Sequence, residues 1–310
     1  MDSPNQPETD WPHRYAHLAP VDRGLAHIGL RPRWTLYVLT SITLIIAWVW
    51  LSFLAAGVAG SAVDLGPGMA LWQDLLARLQ VNPDQNGFLA LVLKLCTPQT
   101  IDGIGPGVFL STLSMWFVMS LAMMLPSAAP MMRTYADIAE VASQKGEKVA
   151  PLYVLMMGYL CIWAAFSFAV TLFQLVIVQL GLAADPVLPI HGLLAGFILL
   201  LAGAYQFSAL KNACLEKCRN PFAILFGRWS PKSSGIFKLG AEQGLFCLGC
   251  CWTLMLVMLV VGTMNLAWMA FFTLFAIVEK SGKGKVTSYL SGGILLVWGG
   301  ILCLASLTTI

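Results

Sequence analysis

Five of the eight cysteines stand within 38 residues of one another, and together they could hold a soft metal ion. Cys214 and Cys218 lie in Lys211-Asn212-Ala213-Cys214-Leu215-Glu216-Lys217-Cys218-Arg219. Their spacing of four puts both thiols on one face of a helix. Cys247, Cys250 and Cys251 lie in Gly244-Leu245-Phe246-Cys247-Leu248-Gly249-Cys250-Cys251-Trp252, where a C-x-x-C turn can offer two sulfurs to one ion. Four thiolates in tetrahedral array would suit zinc, and two or three sulfurs would suit cuprous copper. No histidine and no second C-x-x-C completes a zinc signature, so the order of expectation is copper first and zinc second. The alternative is packing, because a lone cysteine behaves as a small hydrophobe. Cys96, Cys161 and Cys303, each isolated in the chain, are read that way.

Methionine offers a softer and weaker ligand. Met115, Met119 and Met123 recur every four residues on one helical face, and Met124 follows directly. Met123 and Met124 are the thioether candidates beside the five thiols; the competing role is that of flexible apolar filler. Pro126 and Pro130 come next and should kink or end their helix, freeing backbone carbonyls near a cavity. His191 is the only histidine near an apolar run, while His13, His17 and His27 stand in a polar arm. Bis-histidine haem and a histidine-rich di-iron centre are therefore excluded. No acid, base and nucleophile converge, and no Walker loop, dinucleotide fingerprint or nucleic-acid patch is found. No catalytic residue is assigned. Metal handling or metalloprotein assembly is expected instead.

The elements that must position these sulfurs are membrane helices. The 310 residues are 58% hydrophobic and 11% charged, with a mean hydropathy of +0.77. A soluble chain carries about 25% charged residues. The apolar runs are continuous rather than alternating, which excludes a strand barrel. The chain reads as an all-α polytopic transmembrane helix bundle of about seven spans, at roughly 34–57, 107–132, 152–182, 188–208, 243–262, 264–279 and 289–308. The fifth and sixth form a close hairpin turning at Gly262-Thr263; a single long helix with a re-entrant part is the alternative. Residues 1–33 form a polar arm, too long and too rich in proline and charge for a cleaved signal, so the first span should stay in the mature chain.

Positive charge orients the bundle. Sixteen of the 18 Lys and Arg fall in 1–33, 133–150, 209–242 and 279–288, which seven spans place on one side; only Arg78 and Lys94 fall on the other. By the positive-inside rule the N-terminus is cytoplasmic, and the setting is a bacterial inner membrane. The external loop 58–106 holds an amphipathic segment at 69–80, with Asp74 and Arg78 four apart, expected on the outer interface or as a lid. The first cysteine pair lies just past the cytoplasmic end of span four, and the second group opens span five from that side. A reducing compartment disfavours disulfides there. Asn265 is read as a polar candidate or a turn cap, and Gln174, Gln179 and Gln206 as bonds between helices. Gly192-x-x-x-Gly196 and Gly240-x-x-x-Gly244 suit close helix approach. Acidic groups are nearly missing from the spans, which weakens a proton-coupled carrier.

These strings resemble a bacterial family of predicted metal-binding integral membrane proteins, a domain of unknown function. They are Met115-Trp116, Ala122-Met123-Met124-Leu125-Pro126 with Pro130, Gly158-Tyr159-Leu160 with Trp163, Tyr205-Gln206, Leu210-Lys211, Cys214-x-x-x-Cys218-Arg219 with Pro221, Cys247-x-Gly249-Cys250-Cys251-Trp252, Met264-Asn265-Leu266-x-Trp268-Met269 and Glu279-Lys280. The resemblance covers roughly 110–280 and implies metal binding without a reaction. The chain departs from it at Ala209 and Gln243, where members carry proline and histidine. Besides the lipid bilayer, the expected partner is a membrane protein or metalloprotein, not nucleic acid. The alternative is an interaction subunit of a larger membrane complex with no metal of its own; a small-solute transporter is third.

Overall fold

A computed structural model describes residues 32–59, 105–182, 192–282 and 284–308. Most of the arm 1–33 and of the loop 58–106, with the segment 69–80, Cys96 and His191, lies outside the described residues. Among the described residues the regular elements are nine helices and no strand: α1 (Pro32–Ala59), α2 (Pro106–Gln144), α3 (Leu152–Gln179), α4 (Gly192–Gln206), α5 (Ala209–Arg219), α6 (Pro221–Gly227), α7 (Ser233–Val261), α8 (Leu266–Ser281) and α9 (Val286–Thr308). The chain divides into two units, Met1–Thr43 and Leu44–Ile310. In the first, the start of α1 carries exposed Tyr37, Val38, Leu39 and Ile42. The second holds all that follows.

Among the described residues, five helices are long and apolar enough to cross a membrane: α1, α2, α3, α7 and α9. The pair α4–α5, bent by 63°, would make a sixth. The expected span at 264–279 is α8, whose 16 residues rise about 24 Å against a hydrocarbon core of about 30 Å. Exposed apolar residues run along α3 (Phe168, Leu172, Val176) and α9 (Ile294, Val297, Ile301, Leu304) at helical spacing. Such stripes are far larger than water tolerates and suggest a lipid-facing surface.

α7 is the central helix and packs on α3, α4 and α5. It comes close because α3 and α7 present glycine to one another. A Cβ on Gly158 would collide with the carbonyl of Phe237, and one on Gly240 with that of Leu155. Gly240 and Gly244 thus act as expected. α9 lies along α4, and α8 lies on α2.

Two boundaries differ from the sequence reading. α2 neither ends nor breaks at Pro126 and Pro130; it continues for 39 residues, about 58 Å. Each proline removes one helix bond, and the burial of Ala122, Met123, Met124, Leu125, Ala128, Met131 and Met132 holds the helix through both. α7 begins at Ser233, ten residues before the apolar run at 243, because its first turns, mixed in polarity, are helical too. The cysteines therefore sit mid-helix rather than at its opening. The turn after α7 does fall at Gly262, whose φ of +98° suits glycine. Asn265 caps α8, its side chain accepting from the Trp268 N–H at 3.4 Å.

Candidate metal centre

The thiols come from α5 and α7. α4 stops at Gln206, and Ser208 opens α5 by accepting from the Lys211 N–H at 3.1 Å. The 63° bend between the two helices lays α5 along α7. Gly249 makes that contact possible, since a Cβ there would stand 2.6 Å from Cys214 Sγ. Tyr205 Oη donates to the Gly249 carbonyl, and the Lys217 ammonium lies 4.3 Å above the Phe246 ring. These contacts clamp the α4–α5 corner to the cysteine turn of α7.

Four thiols come near one another there: Cys214 of α5 lies against Gly249, within the turn of α7 that carries Cys247, Cys250 and Cys251, and Cys218 follows one turn along α5. The α7 thiols are buried at 4% exposure or less, whereas Cys214 and Cys218 are only half-buried. A fifth sulfur comes from α2: Met124 Sδ lies 3.5 Å from Cys251 Sγ. Met124 is thus beside the thiols. Met123, equally buried, shows no such contact, and the face it shares with Met115 and Met119 is turned into the protein interior. Cys303 packs over Gly196 of α4 and Cys161 is exposed on α3, as apolar residues would.

The donor set is chemically right for a soft ion but is not in ligating position. Among the described residues, no three Cys, His, Asp or Glu side chains are gathered to hold a metal. The reason is local. Cys250 and Cys251 turn their thiols back to the Cys247 carbonyl, at 3.1 and 2.8 Å, as hydroxyl-like side chains do inside helices.

Three further groups line the cluster. Tyr159 Oη lies 3.1 Å from Cys247 Sγ and donates to the Met124 carbonyl at 3.4 Å. The Lys280 ammonium donates to Cys247 Sγ at 3.1 Å and to Ser127 Oγ at 2.7 Å. Beside it, Glu279 turns away to Lys211, with Nζ–O distances of 2.8 and 3.0 Å. Ser288 Oγ donates to the same carboxylate at 2.6 Å, and Arg219 donates twice to the Glu279 main-chain carbonyl. Sequence reasoning had Lys211, Glu279 and Lys280 inside quoted strings but counted the lysines only as orienting charge. Their adjacency in Glu279-Lys280, at the end of an apolar helix, was the available signal. Trp116 bonds Gln174 as expected between helices, but Gln206 is buried with neither amide atom partnered.

No curated protein and no solved structure matches the chain. Residues 113–302 match the PpoB2 family, described as copper chaperone. The match contains all five clustered cysteines, both candidate methionines, Tyr159 and Lys280. It covers more than half of the 310 residues, and the chain belongs to the PpoB2 copper-chaperone family.

Proposed function

We propose that this protein is a multi-pass copper chaperone of a bacterial inner membrane, which takes up cuprous copper on the α5–α7 thiols and hands it to a metalloprotein. The observation that carries this reading is the cysteine turn of α7 packed against Cys214 of α5 on one side and Met124 of α2 on another, in a chain whose family handles copper. Soft sulfur donors in low coordination number select cuprous copper over harder ions. Cys247, Cys250, Cys251 and Met124 form the inner set, while Cys214 and Cys218 on α5 form the route by which the ion arrives. The gradient of exposure supports that order: half-buried on α5, closed on α7.

Seven spans fit the helices if α4 with α5 and the short α8 each cross. The N-terminus is then cytoplasmic, and 16 of 18 basic residues share its side. Copper would enter from the reducing compartment as Cu(I).

The test is elemental analysis of the purified, untagged protein beside a variant with Cys214, Cys218, Cys247, Cys250 and Cys251 all changed to Ser. Near-stoichiometric copper that is lost in the variant supports the site. Cys250→Ser with Cys251→Ser should already lower bound copper while the protein stays in the membrane. Unchanged copper refutes the site, and no metal in either protein after reloading favours an interaction subunit.

A further inference from the structure

Lys280 stands among the thiols with a charge that nothing adjacent balances. Its Nζ contacts are a hydroxyl, Ser127 Oγ at 2.7 Å, and a thiol, Cys247 Sγ at 3.1 Å. The neighbouring carboxylate, Glu279, is taken up by Lys211 and Ser288. Cys250 and Cys251 stand on the same turn of α7 as Cys247. A half-buried cation against buried thiols loses part of its hydration and gains from an anion beside it.

We infer that Lys280 is the counter-cation of a cuprous dithiolate and sets the preference of the site for a monovalent ion. This rests on the copper site proposed above. When Cu(I) binds two thiols, two Cu–S bonds form, two protons leave to bulk water and no electron moves. The coordinated group carries one negative charge, since one positive ion meets two thiolates. Lys280 beside it carries one positive charge, and the pocket becomes neutral. A divalent ion on the same two thiolates is already neutral, so Lys280 then leaves an excess positive charge. The two charges would stand close together and half screened from water, where their interaction is stronger than between exposed groups. One ammonium thereby favours Cu(I) and disfavours Zn(II). Ser127, across on α2, holds the ammonium in place, and Tyr159 offers the Cys247 sulfur its other polar contact.

The experiment titrates the full-length protein in detergent with silver(I), a redox-inert soft monovalent probe, and with zinc(II). Wild type is compared with Lys280→Met, Lys280→Gln and Lys280→Arg. Loss of the charge should weaken silver(I) by roughly tenfold or more and leave zinc(II) unchanged or tighter. Lys280→Gln can still donate to Ser127 and Cys247, so it removes charge without emptying the contacts. It also serves if Lys280→Met does not fold. Lys280→Arg should stay within about threefold of wild type for both ions. Equal weakening of both ions in the neutral variants would make Lys280 merely structural and overturn the inference. So would silver(I) binding that the neutral variants leave unchanged. Absence of silver(I) and copper(I) binding in the wild type would overturn the metal site itself, a distinct result.

Discussion

Changing Glu279 to Gln should destabilise the protein far more than a surface charge change. The carboxylate sits 2.8 Å from Lys211 Nζ, with side-chain exposures of 0% for Lys211 and 2% for Glu279. The substitution leaves the lysine charge buried with only an amide for company. Removing one partner of a buried pair costs about 3–5 kcal/mol. Arg219 does not confuse the measurement, because it donates to the main-chain carbonyl of Glu279, which the substitution retains. Lys211→Met should cost a similar amount, partly offset by the Ser288 hydroxyl that still donates to the carboxylate. The double variant removes both charges and should cost at least about 2 kcal/mol less than the sum of the singles. Reversible unfolding in mixed micelles, followed by helicity, gives the cycle. Single variants costing under about 1 kcal/mol, or strictly additive losses, would refute the pair as an anchor of α5 to α8, since that is how exposed pairs behave.

Three further outcomes follow from packing and hydrogen bonding. Gly240→Ala should lower stability by about 1–3 kcal/mol or more, because its Cβ meets the Leu155 carbonyl and two backbones must separate; thermal melting in micelles reads it. Tyr159→Phe should cost about 0.5–1.5 kcal/mol for the hydroxyl between Cys247 and Met124, and unfolding should leave the secondary structure of the folded protein unchanged beforehand. Arg228→Ala breaks a bidentate pair with Glu242, yet its side chain is 66% exposed, so a loss of under about 1 kcal/mol is expected in the same assay.

Much of the site was legible because it depends on local spacing. Cys214 with Cys218, and Cys247 with Cys250, are related by helical turns, and a period of 3.6 can be read without tertiary information. Continuous apolar runs marked the membrane-length helices for the same reason. Helix ends were less legible. The run 233–242 mixes Ser233, Ser234, Lys238 and Glu242 with Ile236, Phe237 and Leu239, so hydropathy alone did not show that α7 had already started. Pro126 and Pro130 carry a local signal for a break, and packing on both sides overrides it. Lys211 and Lys280 were the least legible. A lysine looks alike in sequence whether it faces water or a buried carboxylate; only the fold shows that Lys211 meets Glu279 and Lys280 meets Cys247. The separation of Met123 from Met124 has the same origin, since adjacent helical residues point in different directions.

The three α7 cysteines are sealed on every side, at 4% exposure or less. An ion bound among them is out of reach of any soluble acceptor until a helix moves. In the proposed site its residence time would depend on how readily α5 separates from Gly249 as well as on the sulfur bonds. A carrier built in this way can bind tightly and still unload on demand, provided the recipient pries at the corner marked by Ser208. Affinity and delivery rate become separately adjustable properties, one belonging to the sulfurs and the other to a bend in the backbone.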